Sequence, residues 1–281
     1  MKQSSRKRDA EETVVICAAK EYTAPGGRVV KLQQEIDDAV AGTELVQRRA
    51  TQTVSRNDRP AALSVTNETT TSALKRLVQS GATDVACLNF ASAKNPGGGF
   101  LGGAEAQEES LARSSALYPC LLAAREFYGQ NRAHRSTLYL DLAIWSPEVP
   151  FIRGDDGALL EEPYLASVIT CPAPNAGAIE QNEPDRVADI EPALRRRAEH
   201  VLNVAASRGV RHLVLGAWGC GVFRNDPRLV AEVFAELLRP PGLFSVAFEQ
   251  VIFAVFDRSK EGATFRAFAE TFGFAEVDQA Q

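Results

Sequence analysis

The sequence predicts an α/β layered domain, with a largely parallel sheet and helices on both faces. Three observations predict it. From about residue 61 onward, short apolar runs alternate with helical stretches. The run at 84–90 is nearly continuous in apolar residues, as a strand covered on both faces requires. Two glycine-rich loops, 97–103 and 216–221, each directly follow such a run. In open sheets of this class a ligand binds in the crevice beyond the carboxyl ends of the strands, so both loops can border one crevice.

The elements follow in order. Residues 1–12 are polar and read as a mobile terminus. From 12 to about 59 the chain reads as helical, with Val30, Leu32, Ile36 and Val40 spaced for one apolar face and Pro25-Gly26-Gly27 breaking it in two. Residues 1–60 are therefore taken as an N-terminal helical accessory region, and 61–281 as the main domain. Residues 51–60 read as a polar connection. A strand at 62–65 leads to a helix at 73–79, preceded by a cap at 66–70 and closed by Ser80-Gly81. After strand 84–90 and the first glycine loop, one long helix is predicted over 107–128, with Leu111, Ser115, Tyr118, Leu122 and Phe127 inward. Residues 143–153 read as two short strands around a proline bend, and 164–171 as another strand ended by Pro172-Ala173-Pro174. A helix over 183–208 carries a basic stripe, Arg195-Arg196-Arg197, read as a solvated face or a phosphate contact. Strand 212–217, helix 228–238, strand 250–256 and helix 262–272 complete the domain.

Composition excludes several classes. Of the 281 residues 45% are hydrophobic and 24% charged, as in ordinary globular proteins. The net charge of −5 argues against non-specific nucleic-acid binding, which needs a basic surface. A polyanionic ligand must then be recognised locally, by backbone donors and a few cations. Cys17, Cys87, Cys120, Cys171 and Cys220 are scattered, with no C-x-x-C pair, and the three histidines do not cluster. Reduced thiols and no metal site are expected. No secretory signal and no apolar run of membrane-spanning length are seen, so a soluble, cytoplasmic protein is expected.

The chemistry concentrates in NPGGGFLGGAEAQEES, residues 95–110. Glycines let the backbone approach a ligand closely, and unpaired N–H groups at a loop and helix start donate to phosphate oxygens. A phosphate loop of the nucleotide-hydrolase kind would place Gly-Lys-Ser or Gly-Lys-Thr at that helix start. Here Gln107, Glu108 and Glu109 stand there, after Glu105. Acids beside a phosphate-binding loop suggest chemistry on a sugar carried by the phosphate. GGGFLGG also departs from G-x-G-x-x-G, which argues against a nicotinamide-dependent oxidoreductase.

GGG followed seven residues later by QEE, then VITCPAPN at 168–175 and GAWGCGVFRND at 216–226, resembles the bacterial-type poly(ADP-ribose) glycohydrolases in the same order. The similarity covers about 61–274. It implies a macrodomain-like three-layer mixed sheet flanked by helices, with an N-terminal helical extension. It also implies hydrolysis of ribose–ribose O-glycosidic bonds of poly(ADP-ribose), mainly from the chain end, to release ADP-ribose, and a place in the DNA damage response. ADP-ribosylated proteins are the implied partners, and the chain is expected to act as a monomer without cofactor or metal. A non-catalytic macrodomain reader of ADP-ribose is the alternative.

The resemblance assigns the proton donor to Glu109 and the holding of sugar hydroxyls to Glu108. Asn95, Gly97, Gly98, Gly99 and Gln107 would bind substrate on the first loop, and Gly219, Cys220, Gly221, Val222 and Phe223 on the second. Phe223 would pack against the terminal ribose and set its angle toward Glu109. Most glycosidases place two carboxylates about 5 to 9.5 Å apart across the bond. Consecutive residues on a helix point about 100° apart and do not face one another. One glutamate must therefore serve as acid and then as base, with bound diphosphate and exclusion of water favouring its protonated form. Bland readings stand beside these. Glutamates at a helix start suit the dipole, and 216–221 can be a plain turn. Phe223 can be core, Cys220 a packed thiol, Asn95 a turn former, and Glu68 and Thr69 a helix cap.

Overall fold

The computed structural model describes residues 2–48 and 57–274. The domain is built on a seven-stranded mixed sheet with spatial order β3-β6-β7-β5-β8-β9-β4. Its strands are β3 (Glu44–Gln47), β4 (Ala62–Thr66), β5 (Val85–Phe90), β6 (Leu142–Arg153), β7 (Leu159–Cys171), β8 (His212–Leu215) and β9 (Gln250–Ala254). Pairings β5–β7, β5–β8, β8–β9 and β4–β9 are parallel, whereas β3–β6 and β6–β7 are antiparallel. The five parallel strands therefore end on one edge, and the loops after them meet there.

Alternation along the strands shows why this sheet is covered on both faces. Ala86, Leu88, Leu213, Leu215, Val251 and Phe253 join the core on one face. Their chain neighbours Val85, Cys87, Val214, Ile252 and Ala254 join the core on the other. The first face is covered by α8 (Ile190–Ser207), α9 (Pro227–Leu238) and α10 (Ala263–Thr271). The second is covered by α2 (Gln33–Ala41), α3 (Thr70–Gln79), α4 (Gln107–Ser114), α5 (Leu117–Ala123) and α6 (Arg125–Ala133). The expected three-layer arrangement is thus present.

Several elements depart from expectation. The described part of the expected mobile terminus is ordered: helix α1 (Gln3–Ala19) docks through Ala10 onto Phe100 and Ala112. Its buried positions are Asp9, Ala10, Thr13, Ile16 and Cys17, mostly small or polar, so no continuous apolar stripe announces it. The segment 12–59 is not all helical. Pro25-Gly26-Gly27 lies between strands β1 (Glu21–Thr23) and β2 (Val29–Lys31), which pair as a hairpin, and β3 follows α2. Because β3 pairs with β6, part of residues 1–60 is built into the main sheet. Most of the expected connection 51–60 lies outside the described residues.

The long helix over 107–128 is three helices. Ser115 is extended (φ −147°, ψ 173°) and bridges to Phe151, and Pro119 has no N–H to give the carbonyl four residues back. Of its five expected inward positions, Tyr118 and Leu122 are only half-buried. Residues 142–153 form one strand with a register shift between Ser146 and Val149, where Pro147 falls, rather than two strands. The expected helix over 183–208 begins as a 3₁₀ turn (Pro184–Asp189) before α8, and a separate short helix, α7 (Ala176–Asn182), precedes both. The basic stripe is divided too. Arg195 and Arg196 pair at the surface with Glu191, Glu236 and Asp141, whereas Arg197 is fully buried.

Candidate active site

A cavity of about 620 Å³ opens along the sheet edge where the parallel strands end. Its walls come from the β4–α3 turn (Thr69, Thr70, Thr71), the start of α4, the 217–223 loop after β8, and Phe256, Asp257 and Arg258 after β9. The topology thus brings the two expected loops together at one crevice, as the strand ends require.

Gln107 ties the helix start to the sheet. Its Oε1 accepts from Phe90 N–H at 2.9 Å, and its Nε2 donates to the Leu88 carbonyl at 2.8 Å and to Thr70 Oγ1 at 3.1 Å. Both ends of the amide are thereby occupied within the protein. Glu108 is turned inward and is 3% exposed. Its Oε2 accepts from Ser92 N–H at 2.6 Å, and Asn89 Nδ2 reaches Oε1 at 3.4 Å and Thr170 Oγ1 at 3.1 Å. Burial pushes the Glu108 carboxyl up to about 8, with repulsion from Glu109 adding to it and hydrogen bonds from Ser92, Asn89 and Gly97 opposing. A carboxyl kept neutral near pH 7 can donate a hydrogen bond as well as accept one.

Glu109 lies one position on and lines the cavity. Gly99 donates its N–H to Glu109 Oε1 at 2.9 Å. The other oxygen, Oε2, is out of contact with solvent and has no hydrogen-bond partner among the described residues. Native proteins rarely leave such an atom unmatched unless a ligand or a task accounts for it. Gly98 shows how closely the loop is fitted to the acids. Its φ is +58°, and a Cβ there would stand 2.3 Å from Glu109 Oε1.

The amides of the first loop are thus largely spent inside the protein: Gly98 N–H goes to the Asn95 carbonyl, Gly99 N–H to Glu109 and Phe100 N–H to the Gly97 carbonyl. The second loop is the reverse. Among the described residues, the N–H groups of Gly219, Gly221, Val222 and Phe223 have no acceptor. The loop is nevertheless rigidly held. Asn225 donates to the Pro174 carbonyl at 2.8 Å and the Gly219 carbonyl at 3.1 Å, and Gly177 N–H donates to the Phe223 carbonyl at 3.0 Å. Gly219 has φ +74°, and a Cβ there would meet the Ala173 Cβ at 2.4 Å. Free amides on a fixed turn make an anion nest. The two loops thus differ: Gly98, Gly99 and Phe100 N–H are engaged within the protein, whereas four amides of the second loop have no acceptor among the described residues.

Phe223 is half-buried in the cavity wall and leans on Tyr139, ring centroids 5.9 Å apart at 43°. Tyr139 takes φ +61°, an uncommon setting for an aromatic residue. The turn that carries it is anchored by Arg197, which donates to the Leu138 carbonyl, to the Pro172 carbonyl at 2.7 Å and to Asp141 at 3.0 Å.

These features coincide with comparisons to known proteins. A family model described as the microbial-type PARG (poly(ADP-ribose) glycohydrolase) catalytic domain matches residues 10–154. The crystal structure of poly(ADP-ribose) glycohydrolase from Thermomonospora curvata is 47% identical over 96% of this chain and 100% of that chain, with a TM-score of 0.91. The chain belongs to the microbial-type poly(ADP-ribose) glycohydrolase family. The T. curvata glycohydrolase bound to the inhibitor ADP-HPD gives a TM-score of 0.87 at 47% identity, covering 95% of this chain and 99% of that one. The Deinococcus radiodurans glycohydrolase in complex with ADP-ribose gives 0.80 at 47% identity, covering 84% and 96%. A search of curated proteins found no match. Membership of the glycohydrolase family makes the chain a glycosidase rather than a non-catalytic reader.

Within this glycohydrolase, not every expected residue reaches the cavity. Gln107, Glu108, Glu109, Gly219, Cys220, Gly221, Val222 and Phe223 line it. Asn95, Gly97, Gly98 and Gly99 do not; Asn95 is exposed, and its backbone shapes the turn behind the acids. Cys220 is a packed thiol, pushed up to about 12 by burial, which suits no nucleophile. Among the described residues, no group of three His, Cys, Asp or Glu could hold a metal ion. Sequence reasoning missed Asn89 and Ser92, which hold Glu108, Thr170, which accepts from Asn89, and Arg6 and Arg113, which line the cavity. Asn89 had left a signal, as the one polar residue inside an otherwise apolar strand.

Proposed function

We propose that this glycohydrolase cuts the ribose–ribose O-glycosidic bond of poly(ADP-ribose) from the chain end and releases ADP-ribose, with Glu109 as the acid. One observation carries this reading: Glu109 Oε1 is held by the Gly99 amide while Oε2 has no partner within the described residues. Glu109 lines the cavity, and a carboxyl held by a single amide can turn about its last bond to bring a protonated oxygen to a bound oxygen. In the first step that proton goes to the leaving ribose hydroxyl oxygen, the bond to the anomeric carbon breaks, and an oxocarbenium-like sugar remains. In the second, Glu109 takes a proton from water, the hydroxide adds to the anomeric carbon, and the acid is regenerated. Glu108 holds ribose hydroxyls, and the open amides of 219–223 hold the diphosphate, whose charge opposes that of the developing cation. Phe223, backed by Tyr139, fixes the sugar's angle.

The chain-end preference is supported by Phe256, Asp257 and Arg258 and by Thr264 of α10, which wall the cavity at the β9 side. We assign the enzyme to the cytoplasm, as a monomer acting on ADP-ribosylated proteins. The test is incubation with poly(ADP-ribose) followed by separation of monomer from oligomers. ADP-ribose should accumulate from the earliest times. Early oligomers of intermediate length would exclude chain-end attack, and an undegraded polymer would exclude the activity.

A further inference from the structure

The N-terminal helix does more than brace the domain. Residues 2–8 hold Lys2, Arg6, Lys7 and Arg8 and no acid, in a chain whose net charge is −5. The fold delivers this basic turn to the catalytic segment. Gln3 Nε2 donates to the Gly102 carbonyl at 3.1 Å, and Arg6 Nε to the Gly103 carbonyl at 2.8 Å. Gly103 sits so close that a Cβ on it would stand 2.5 Å from the Gln3 carbonyl oxygen and 3.2 Å from the Lys7 nitrogen.

Arg6 itself lines the catalytic cavity beside Glu105, Ala106, Glu109 and Arg113. It pairs with Glu105 at 2.7 Å, the arginine 12% and the glutamate 53% exposed. Arg6 lies near enough to Arg113 for its charge to add to the burial that lowers the Arg113 guanidinium from its ordinary value. Arg6 and Arg113 thus stand together at the Glu109 end of the cavity, among Glu105, Glu109 and Asp9, of which Glu105 is the well-exposed carboxylate, while the open amides lie in the opposite loop. Glu105 is the exposed partner of this pair and Arg6 the mostly buried one, so an incoming anion can take the place of the Glu105 carboxylate without moving Arg6. The site draws on side chains, not on the amides of the helix start.

We propose that Arg6, with Lys2 and Lys7 beside it, forms a subsite for the diphosphate of the polymer unit on the leaving side of the scissile bond, displacing Glu105 when occupied. This rests on the function proposed above, since it takes Glu109 to face the leaving oxygen. Phosphate recognition by a local basic turn answers the difficulty that an acidic protein must hold a polyanion. Arginine suits the task because its fork binds phosphate in two contacts.

The test compares free ADP-ribose with long poly(ADP-ribose) in the Glu109→Gln background, where the polymer persists. Dissociation constants are measured at about 0.05 and 0.2 M salt, the range in which phosphate contacts weaken. Polymer should bind at least about fivefold tighter than monomer at low salt, and Arg6→Gln should remove most of that preference. The double variant Lys2→Gln/Lys7→Gln, which alters exposed side chains only, should lower the salt slope for polymer by about one for each phosphate left without its lysine. Glu105→Gln should strengthen polymer binding. Equal weakening of monomer and polymer by Arg6→Gln would reduce Arg6 to a clasp on the 102–103 carbonyls. A preference unaltered by both the single and the double variants would overturn the subsite. Failure of the unmodified enzyme to cut polymer, with the length preference intact, would sink the functional reading instead.

Discussion

Gly99 donates its backbone N–H to Oε1 of Glu109 at 2.9 Å, so this amide of the triple glycine serves the acid. The neighbouring Gly98 is close-fitted to both acids: its hypothetical Cβ would be 2.3 Å from Glu109 Oε1 and 3.1 Å from Glu108 Oε2. The absence of a side chain thus has a consequence that can be measured.

Gly98→Ala should lower kcat by about a hundredfold, the scale expected when a reacting group is misplaced by about 1 Å. Positive φ and the clash with the Glu109 carboxylate both act at this position. Steady-state kinetics on poly(ADP-ribose) decides it, and a variant with parental kcat would mean that the carboxylate is free to relocate.

Glu109→Gln should reduce polymer breakdown by about 10²- to 10⁴-fold, the usual worth of a positioned proton donor. Affinity for ADP-ribose should stay within about tenfold, or 1.4 kcal/mol, because the amide keeps the shape and the Gly99 contact. Undiminished turnover would place the acid elsewhere.

Phe223→Ala should slow catalysis more than it weakens binding, since the ring sets the sugar's approach. Tyr139, 5.9 Å away between ring centroids, should give a smaller effect of the same kind when truncated. If affinity alone changes, Phe223 is packing and no more.

Stability should fall as pH rises from about 4.3 toward 8. Burial places Glu108 at about 8, whereas an unfolded glutamate titrates near 4.3. Between those values the folded chain keeps a proton that the unfolded chain has released. Its contribution is complete below the lower value and is lost through the upper one, at no more than about 1.4 kcal/mol per pH unit. His200, held below its ordinary value by burial, acts in the opposite sense on the acid side of about 6.5. The comparison is therefore between parent and Glu108→Gln in urea titrations across that range. Parallel pH curves for the two proteins would show that Glu108 is ionised when folded.

Arg197→Ala should cost about 3–5 kcal/mol, the penalty for leaving the partners of a buried charge without it. The side chain is fully buried against Asp141 and the carbonyls of Leu138 and Pro172. Urea unfolding measures the loss. A change below about 1 kcal/mol would mean that water replaces the guanidinium.

What the sequence determined by itself is what short range encodes. Short, nearly continuous apolar runs and their glycine exits specified a sheet covered on both faces, and hence a crevice at the strand ends. QEE at a helix start placed two carboxylates where they cannot oppose each other, which pointed to one acid. Only the tertiary structure decided which loop has amides to spare, because that depends on acceptors elsewhere: Glu109 consumes the Gly99 donor, while nothing among the described residues consumes those of Gly219, Gly221, Val222 and Phe223. It also decided that one arginine of three adjacent ones is buried, and that a polar N-terminal helix lies against the catalytic loop. Thr13 accepts from Arg153 and donates to the Arg113 carbonyl across 140 and 100 residues of chain. Contacts at such separations leave no local pattern, because side chains that meet through packing need share no period along the backbone.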